Sequence, residues 1–199
     1  MSDPVWTEGD GETPLTPDEL QGLKPSLSTR AQLNELEQAN IIEARVWAMR
    51  PGVLRRPDLL TDGFARELHR RMFSGVWKWA GKYRLSDKNI GWEWSRISEG
   101  MRVLLDDARY WVEHGTYPLA EAAVRLHHQM VVMHPWPNGN GRHARLMADL
   151  VMAAQQGTAL SWGANRDLAR RGATRTDYIA ALKEADRGDI GPLLKFAGS

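Results

Sequence analysis

The chain has 199 residues, 42% of them hydrophobic, which is enough for one domain with a buried core. With 26 Lys plus Arg against 25 Asp plus Glu, the balance excludes a general nucleic-acid or membrane-surface binder. The lack of cysteine excludes disulfides and thiolate metal sites, and the acidic start of the chain is unlike a signal peptide.

Taken in order, residues 1–27 read as an arm. Glycine, proline and acid dominate to about residue 15, and Thr16-Pro17-Asp18-Glu19 then caps a short helix that Pro25 ends. Residues 28–199 read as a single globular domain. Thr29 with Gln32 forms a second capping box, followed by Leu33, Leu36, Asn40, Ala44 and Trp47 at helical spacing up to Pro51. Phe64, Leu68 and Met72 mark the next helix, after which glycines and aromatics break the period. Residues 81–96, with Gly91 between Ile90 and Trp92, predict a hairpin flap. Lys82, Tyr83 and Arg84 at its edge are open to a substrate role or to none.

Ile97, Met101, Leu104, Leu105, Ala108 and Trp111 form one helical stripe, with Ser95 or Ser98 as its cap and Gly115 as its stop. A further helix runs from about Pro118 to Met133 and delivers His134 to its carboxyl end. Another begins near Gly141 and stops at Gly157, and two shorter segments follow around Tyr178 to Ala185 and Ile190 to Phe196. The nine tryptophans are assigned to core and flap. Arg55-Arg56, His69-Arg70-Arg71 and Arg170-Arg171 read as solvated charge. His127 and His128, being adjacent, face different sides of their helix and make a poor metal pair. No apolar run reaches about 18 residues, so no membrane span, a cytoplasmic location and no direct nucleic-acid partner are expected.

The densest chemistry lies in His134-Pro135-Trp136-Pro137-Asn138-Gly139-Asn140-Gly141-Arg142-His143-Ala144-Arg145. Gly139 and Gly141 allow a backbone whose N–H groups curl into an anion nest at a helix N-terminus. Arg142 and Arg145, three apart, share a face and suit separate phosphate oxygens. His134, just upstream, is a candidate general base. His143 falls off the arginine face and reads as exposed.

This loop resembles the signature of the Fic (Fic/Doc) family, and Trp79 to Gly91 resembles the segment entering that family's flap. Leu33 to Ile41 and Tyr178 to Asp189 resemble the subfamily called mobile mystery protein B. The resemblance implies an all-α Fic helical bundle with one small β-hairpin flap, transferring AMP from ATP, with Mg²⁺, to a Ser, Thr or Tyr hydroxyl of a target protein. It implies that His134 is the base and that Asn138, Gly139, Asn140, Gly141, Arg142 and Arg145 hold the nucleotide. The target protein would dock on the flap, Leu85, Ser86, Asp87, Lys88, Asn89, Ile90, Gly91 and Trp92. Trp136 stands where the family has Phe. Asn138 stands where it has a metal-binding carboxylate, leaving an uncharged Mg²⁺ donor. Family members are often restrained by a helix-borne glutamate on the second arginine, and Glu37 or Glu35 is the nearest candidate, aimed at Arg145. The alternatives are a Fic-type phosphotransferase and a non-catalytic nucleotide-binding or toxin-antitoxin protein. The subfamily resemblance also implies a helix-turn-helix partner, mobile mystery protein A.

Overall fold

The computed structural model describes residues 15–24, 27, 29–163 and 172–198. Residues 1–14 of the expected arm and Arg170-Arg171 lie outside the described residues. The architecture is all-α. The helices are α1 (Pro17–Leu20), α2 (Arg30–Ala48), α3 (Pro51–Leu54), α4 (Asp62–Phe73), α5 (Ile97–His114), α6 (Leu119–Met133), α7 (Asn140–Ala154), α8 (Ala173–Asp186) and α9 (Gly191–Gly198).

Local chemistry sets most of the boundaries. Thr16 and Thr29 each accept from the backbone N–H three residues on, while Glu19 and Gln32 reach back, so both capping boxes form. Thr61 caps α4 through the Phe64 N–H, and Gly115 ends α5 in the left-handed conformation. The serine caps expected for α5 do not form; Arg96 occupies that position without a side-chain cap, at the end of a 3₁₀ turn over Trp94–Arg96.

Helices α6 and α7 pack together at the centre, with α5 and α9 against α6, α4 against α7, α2 against α4, and α8 paired with α9. Phe64, Leu68, Met72, Met101, Leu105, Leu126, Met147 and Leu150 are buried between them. Burial of these side chains, each contributing about 1.5–3 kcal/mol, is what fixes the helices against one another.

The expected hairpin is not seen. Among the described residues the sole β pairing is an isolated bridge between Leu23 and Trp77. Residues 84–93 form an irregular loop closed by a side chain: Arg84, 1% exposed, donates to the carbonyls of His134 (2.7 Å), Ser86 (2.7 Å) and Trp92. A guanidinium with five donors satisfies the carbonyls that a ladder would otherwise pair. The short α1 segment braces this loop, with Trp79 Nε1 donating to the Glu19 carbonyl (3.0 Å) and Lys88 ion-paired to the Glu19 carboxylate.

Candidate functional site

The α6–α7 connection is built from buried polar groups that tie it to the rest of the fold. His134 ends α6 at φ 55°, ψ 58°, a left-handed conformation that a non-glycine residue adopts at a cost when its surroundings demand it. Its backbone is held on both sides: Arg84 donates to its carbonyl, the Arg84 N–H to Pro135 O (3.0 Å) and the Trp92 N–H to Met133 O (3.2 Å). Gly91 lies against the base of the His134 side chain, where a Cβ would come within 2.6 Å of the His134 Cβ. Burial, and secondarily the Arg84 guanidinium, pushes the His134 imidazole down to about 4, against a hydrogen bond with the Val131 backbone. The ring is therefore neutral at pH 7 and able to take a proton.

Asn140 locks the loop from inside. Its Oδ1 accepts from the Trp136 N–H (2.8 Å) and its Nδ2 donates to the Trp136 carbonyl (2.8 Å). Trp136 is fully buried and stacks on His69 with ring centroids 4.1 Å apart. Its Nε1 donates to His143 Nδ1 (3.2 Å), so His143 Nε2 carries the proton given to Ala65 O (2.9 Å). The Gly81 N–H donates to His69 Nδ1 (2.9 Å), so His69 Nε2 donates to the Asn138 carbonyl (3.2 Å). Burial lowers both imidazoles, His143 to about 4. These two histidines correct the sequence reading, which left them solvated. Neighbours distant in sequence bury them, and no local pattern reports that.

Gly139, at φ 81°, is the N-cap of α7, and a Cβ there would lie 2.3 Å from the Phe73 ring, so only glycine fits. Its N–H is taken by Asn138 Oδ1 (2.7 Å). The N–H groups of Asn140, Gly141 and Arg142 begin the helix and have no intrahelical acceptor, so they and the helix dipole form an anion site.

The two arginines differ. Arg142 Nη1 donates to Glu37 Oε2 (2.7 Å), while Glu37 Oε1 accepts from Trp77 Nε1 (2.7 Å) and Asn138 Nδ2 (3.4 Å). Glu37 is 1% exposed. The partner expected for it was Arg145; one helical turn decides the matter, since Arg142 faces α2. Arg145 instead lies over the Tyr178 ring, 5.5 Å from its centroid. Glu35 is exposed on α2, away from both.

A groove of about 890 Å³ joins these parts: it is lined by His134, Asn138 to Arg142 and Arg145, by Glu37 of α2, and by Tyr178, Ile179 and Leu182 of α8. From the loop at 85–92, Ile90, Gly91 and Trp92 line it, whereas Leu85, Ser86, Asp87, Lys88 and Asn89 do not. Asp87 instead accepts from the Trp94 N–H (2.8 Å) and Leu85 is 79% exposed. A Mg²⁺ ion finds a poor donor set at Asn138, whose oxygen is occupied by Gly139 and whose nitrogen faces Glu37. Among the described residues no group of three His, Cys, Asp or Glu could hold a metal. The residues present do not fit a resident ion. His127 and His128 have separate partners, Tyr178 Oη (3.0 Å) and Asp186 Oδ1 (2.8 Å). Among the described residues no helix is long and apolar enough to cross a membrane.

Arg84, open in the sequence to a substrate role or to none, holds the loop backbone, and His69, His127 and Tyr178 join the surroundings of the site without a sequence signal of their own.

Comparison with known proteins is consistent with this geometry. Residues 59–152 match the Fic/DOC family. The protein adenylyltransferase fic-1 of Caenorhabditis briggsae is 28% identical over 135 residues, 65% of this chain and 25% of that protein. The protein adenylyltransferase Fic of Drosophila virilis is 29% identical over 136 residues, 65% of this chain and 26% of that protein. The chain thus spans about a quarter of the length of these relatives. Among solved structures, Fic-1 (residues 134–508) of Caenorhabditis elegans superposes with a TM-score of 0.63 at 22% identity, over 89% of this chain and 50% of that one. The BepC protein of Bartonella tribocorum with bound AMPPNP gives 0.66 at 15% identity, over 92% and 97%.

Proposed function

The chain carries a Fic/DOC family domain, and from that premise we propose that it is a protein nucleotidyltransferase moving AMP from ATP to a Ser, Thr or Tyr hydroxyl of a target protein. One observation carries the reading: a neutral imidazole, a helix N-terminus and two arginines share the wall of one groove large enough for a nucleotide.

In this reaction His134 accepts the hydroxyl proton as the oxygen attacks the α-phosphorus. The bond from that phosphorus to the bridging oxygen breaks, and pyrophosphate leaves. The N–H groups at the start of α7 hold the α-phosphate, and Arg142 and Arg145 neutralise charge on the leaving group. The protein's contribution is positioning and charge stabilisation. Asn140 acts through the loop backbone, since both ends of its amide are spent on Trp136. Mg²⁺ would travel with the ATP phosphates.

The target segment would meet the loop at Ile90 to Trp92, and Leu85 would offer an apolar contact outside the groove. Glu37 restrains the site by occupying Arg142, so nucleotide phosphates compete with a buried carboxylate for it. The subfamily resemblance adds a helix-turn-helix partner, testable by co-purification.

ATP labelled separately at the α- and γ-phosphates, incubated with the chain and a lysate alongside His134→Ala, tests the reading. Label from the α position that depends on His134 supports it. Label from the γ position alone replaces it with phosphotransfer, and binding without labelling replaces it with a nucleotide-binding protein.

A further inference from the structure

Arg142 is ion-paired to Glu37, whereas Arg145 feels the carboxylate of Asp149 only through space and has the Tyr178 ring as its contact. A Cβ built on Gly141 would lie 3.4 Å from Arg145 Nη1 and 3.7 Å from Tyr178 Oη, so both groups converge on the first turn of α7. The guanidinium sits over the Tyr178 ring, 5.5 Å from its centroid. Behind that hydroxyl, 3.0 Å away, is Nε2 of the fully buried His127.

We propose that His127 and Tyr178 are positioning residues that hold the Arg145 guanidinium at the anion site, with His127 accepting the Tyr178 proton and the hydroxyl oxygen accepting from Arg145.

Donor and acceptor counting supports the assignment. A guanidinium can only donate, so a tyrosine oxygen that meets it does so as acceptor, which leaves the single hydroxyl proton for His127. His127 Nε2 must then be unprotonated, and Nδ1 carries the ring's one proton. Burial keeps this imidazole neutral, well below its usual value, and keeps the Tyr178 hydroxyl protonated. His127 Nδ1 has no hydrogen-bond partner among the described residues, and the Trp162 ring packs 4.6 Å away. A buried donor without an acceptor costs stability, and its retention calls for a reason outside packing. The reason offered by the geometry is directional. A neutral acceptor orients the hydroxyl without His127 itself adding a charge behind Arg145. Tyr178 lies on α8, outside residues 59–152, so the groove depends on a helix beyond the family match.

The proposal rests on the nucleotide reading of the groove. Its test is calorimetric binding of ATP and of AMP to the full chain and to Tyr178→Phe, His127→Phe, His127→Gln and Arg145→Ala, with the doubles on Arg145→Ala. Tyr178→Phe and His127→Phe should weaken ATP about tenfold and leave AMP within about twofold, because Arg145 meets the outer phosphates. His127→Gln, whose amide oxygen can still accept, should recover most of the loss. On Arg145→Ala neither substitution should weaken ATP further. Equal losses for ATP and AMP, or additive losses in the doubles, would overturn the proposal. If His127→Phe does not fold, Tyr178→Phe and its double decide alone. An unsubstituted chain that binds neither nucleotide removes the nucleotide reading itself, and the positioning role with it.

Discussion

Arg142 and Arg145 stand one turn apart on the same helix and are held by opposite means. Arg142 is tied to a buried carboxylate, which also gathers Trp77 and Asn138. Arg145 lies over the neutral Tyr178 ring, whose hydroxyl meets His127. A charged partner gives a strong, competitive hold, which a phosphate must displace. A neutral partner gives orientation with the charge left available. On the proposed nucleotide reading, the first arrangement restrains a site and the second prepares it.

The largest effect should come from breaking the charged side. Arg142→Ala leaves Glu37 buried without its cation and should cost about 3–5 kcal/mol in denaturant unfolding, whereas Arg145→Ala should cost about 1 kcal/mol or less. A smaller difference between the two would make the Glu37 pair a surface-like contact.

Acid should test the neutral side next. His134 and His143 are held at about 4 in the folded state against about 6.5 unfolded, so the unfolded chain binds more protons between those values. Stability is then complete above pH 6.5 and falls as the pH drops towards 4, by up to about 1.4 kcal/mol per pH unit for each histidine. Unfolding curves at pH 7, 6 and 5 measure this. A flat profile would mean that these rings are not buried neutral. Transfer activity should likewise persist to mildly acidic pH, since His134 stays unprotonated.

Glu37→Gln should free Arg142 and tighten ATP binding by about tenfold or more, the usual range for a lost charge-assisted hydrogen bond. Glu35→Gln, on the exposed side of α2, should leave binding unchanged and serves as the control. Unchanged affinity in Glu37→Gln would remove the restraining role. The smallest effect is expected from Asn138→Asp, which replaces the donor facing Glu37 at 3.4 Å with a like charge. It should lower stability by about 1 kcal/mol and tighten ATP less than Glu37→Gln does. Asn138 in this chain is thus suited to the presence of Glu37, which a carboxylate at that position would repel.

Legibility in the sequence followed the range of the interaction. Thr16, Thr29 and the helical stripes were readable because caps and periodicity act within a few residues. That His134, Gly139, Gly141, Arg142 and Arg145 would share one groove was legible because they lie in close succession around a helix start. The hairpin was misread because alternating Trp92 and Trp94 beside Gly91 imitates a strand, whereas the loop is closed by Arg84, whose three acceptors include one fifty residues away. His69 and His143 looked solvated because their partners, Gly81, Asn138, Ala65 and Trp136, are assembled by packing.

The sequence by itself determined an all-α domain and the local chemistry of the loop from His134 to Arg145, since short-range hydrogen bonding and backbone freedom dictate both. Tertiary structure alone decided which arginine Glu37 takes, which histidines are kept neutral, and that α8 supplies the wall behind Arg145. Those outcomes depend on which buried polar groups meet, and a buried donor or acceptor is satisfied by whatever the packing brings to it.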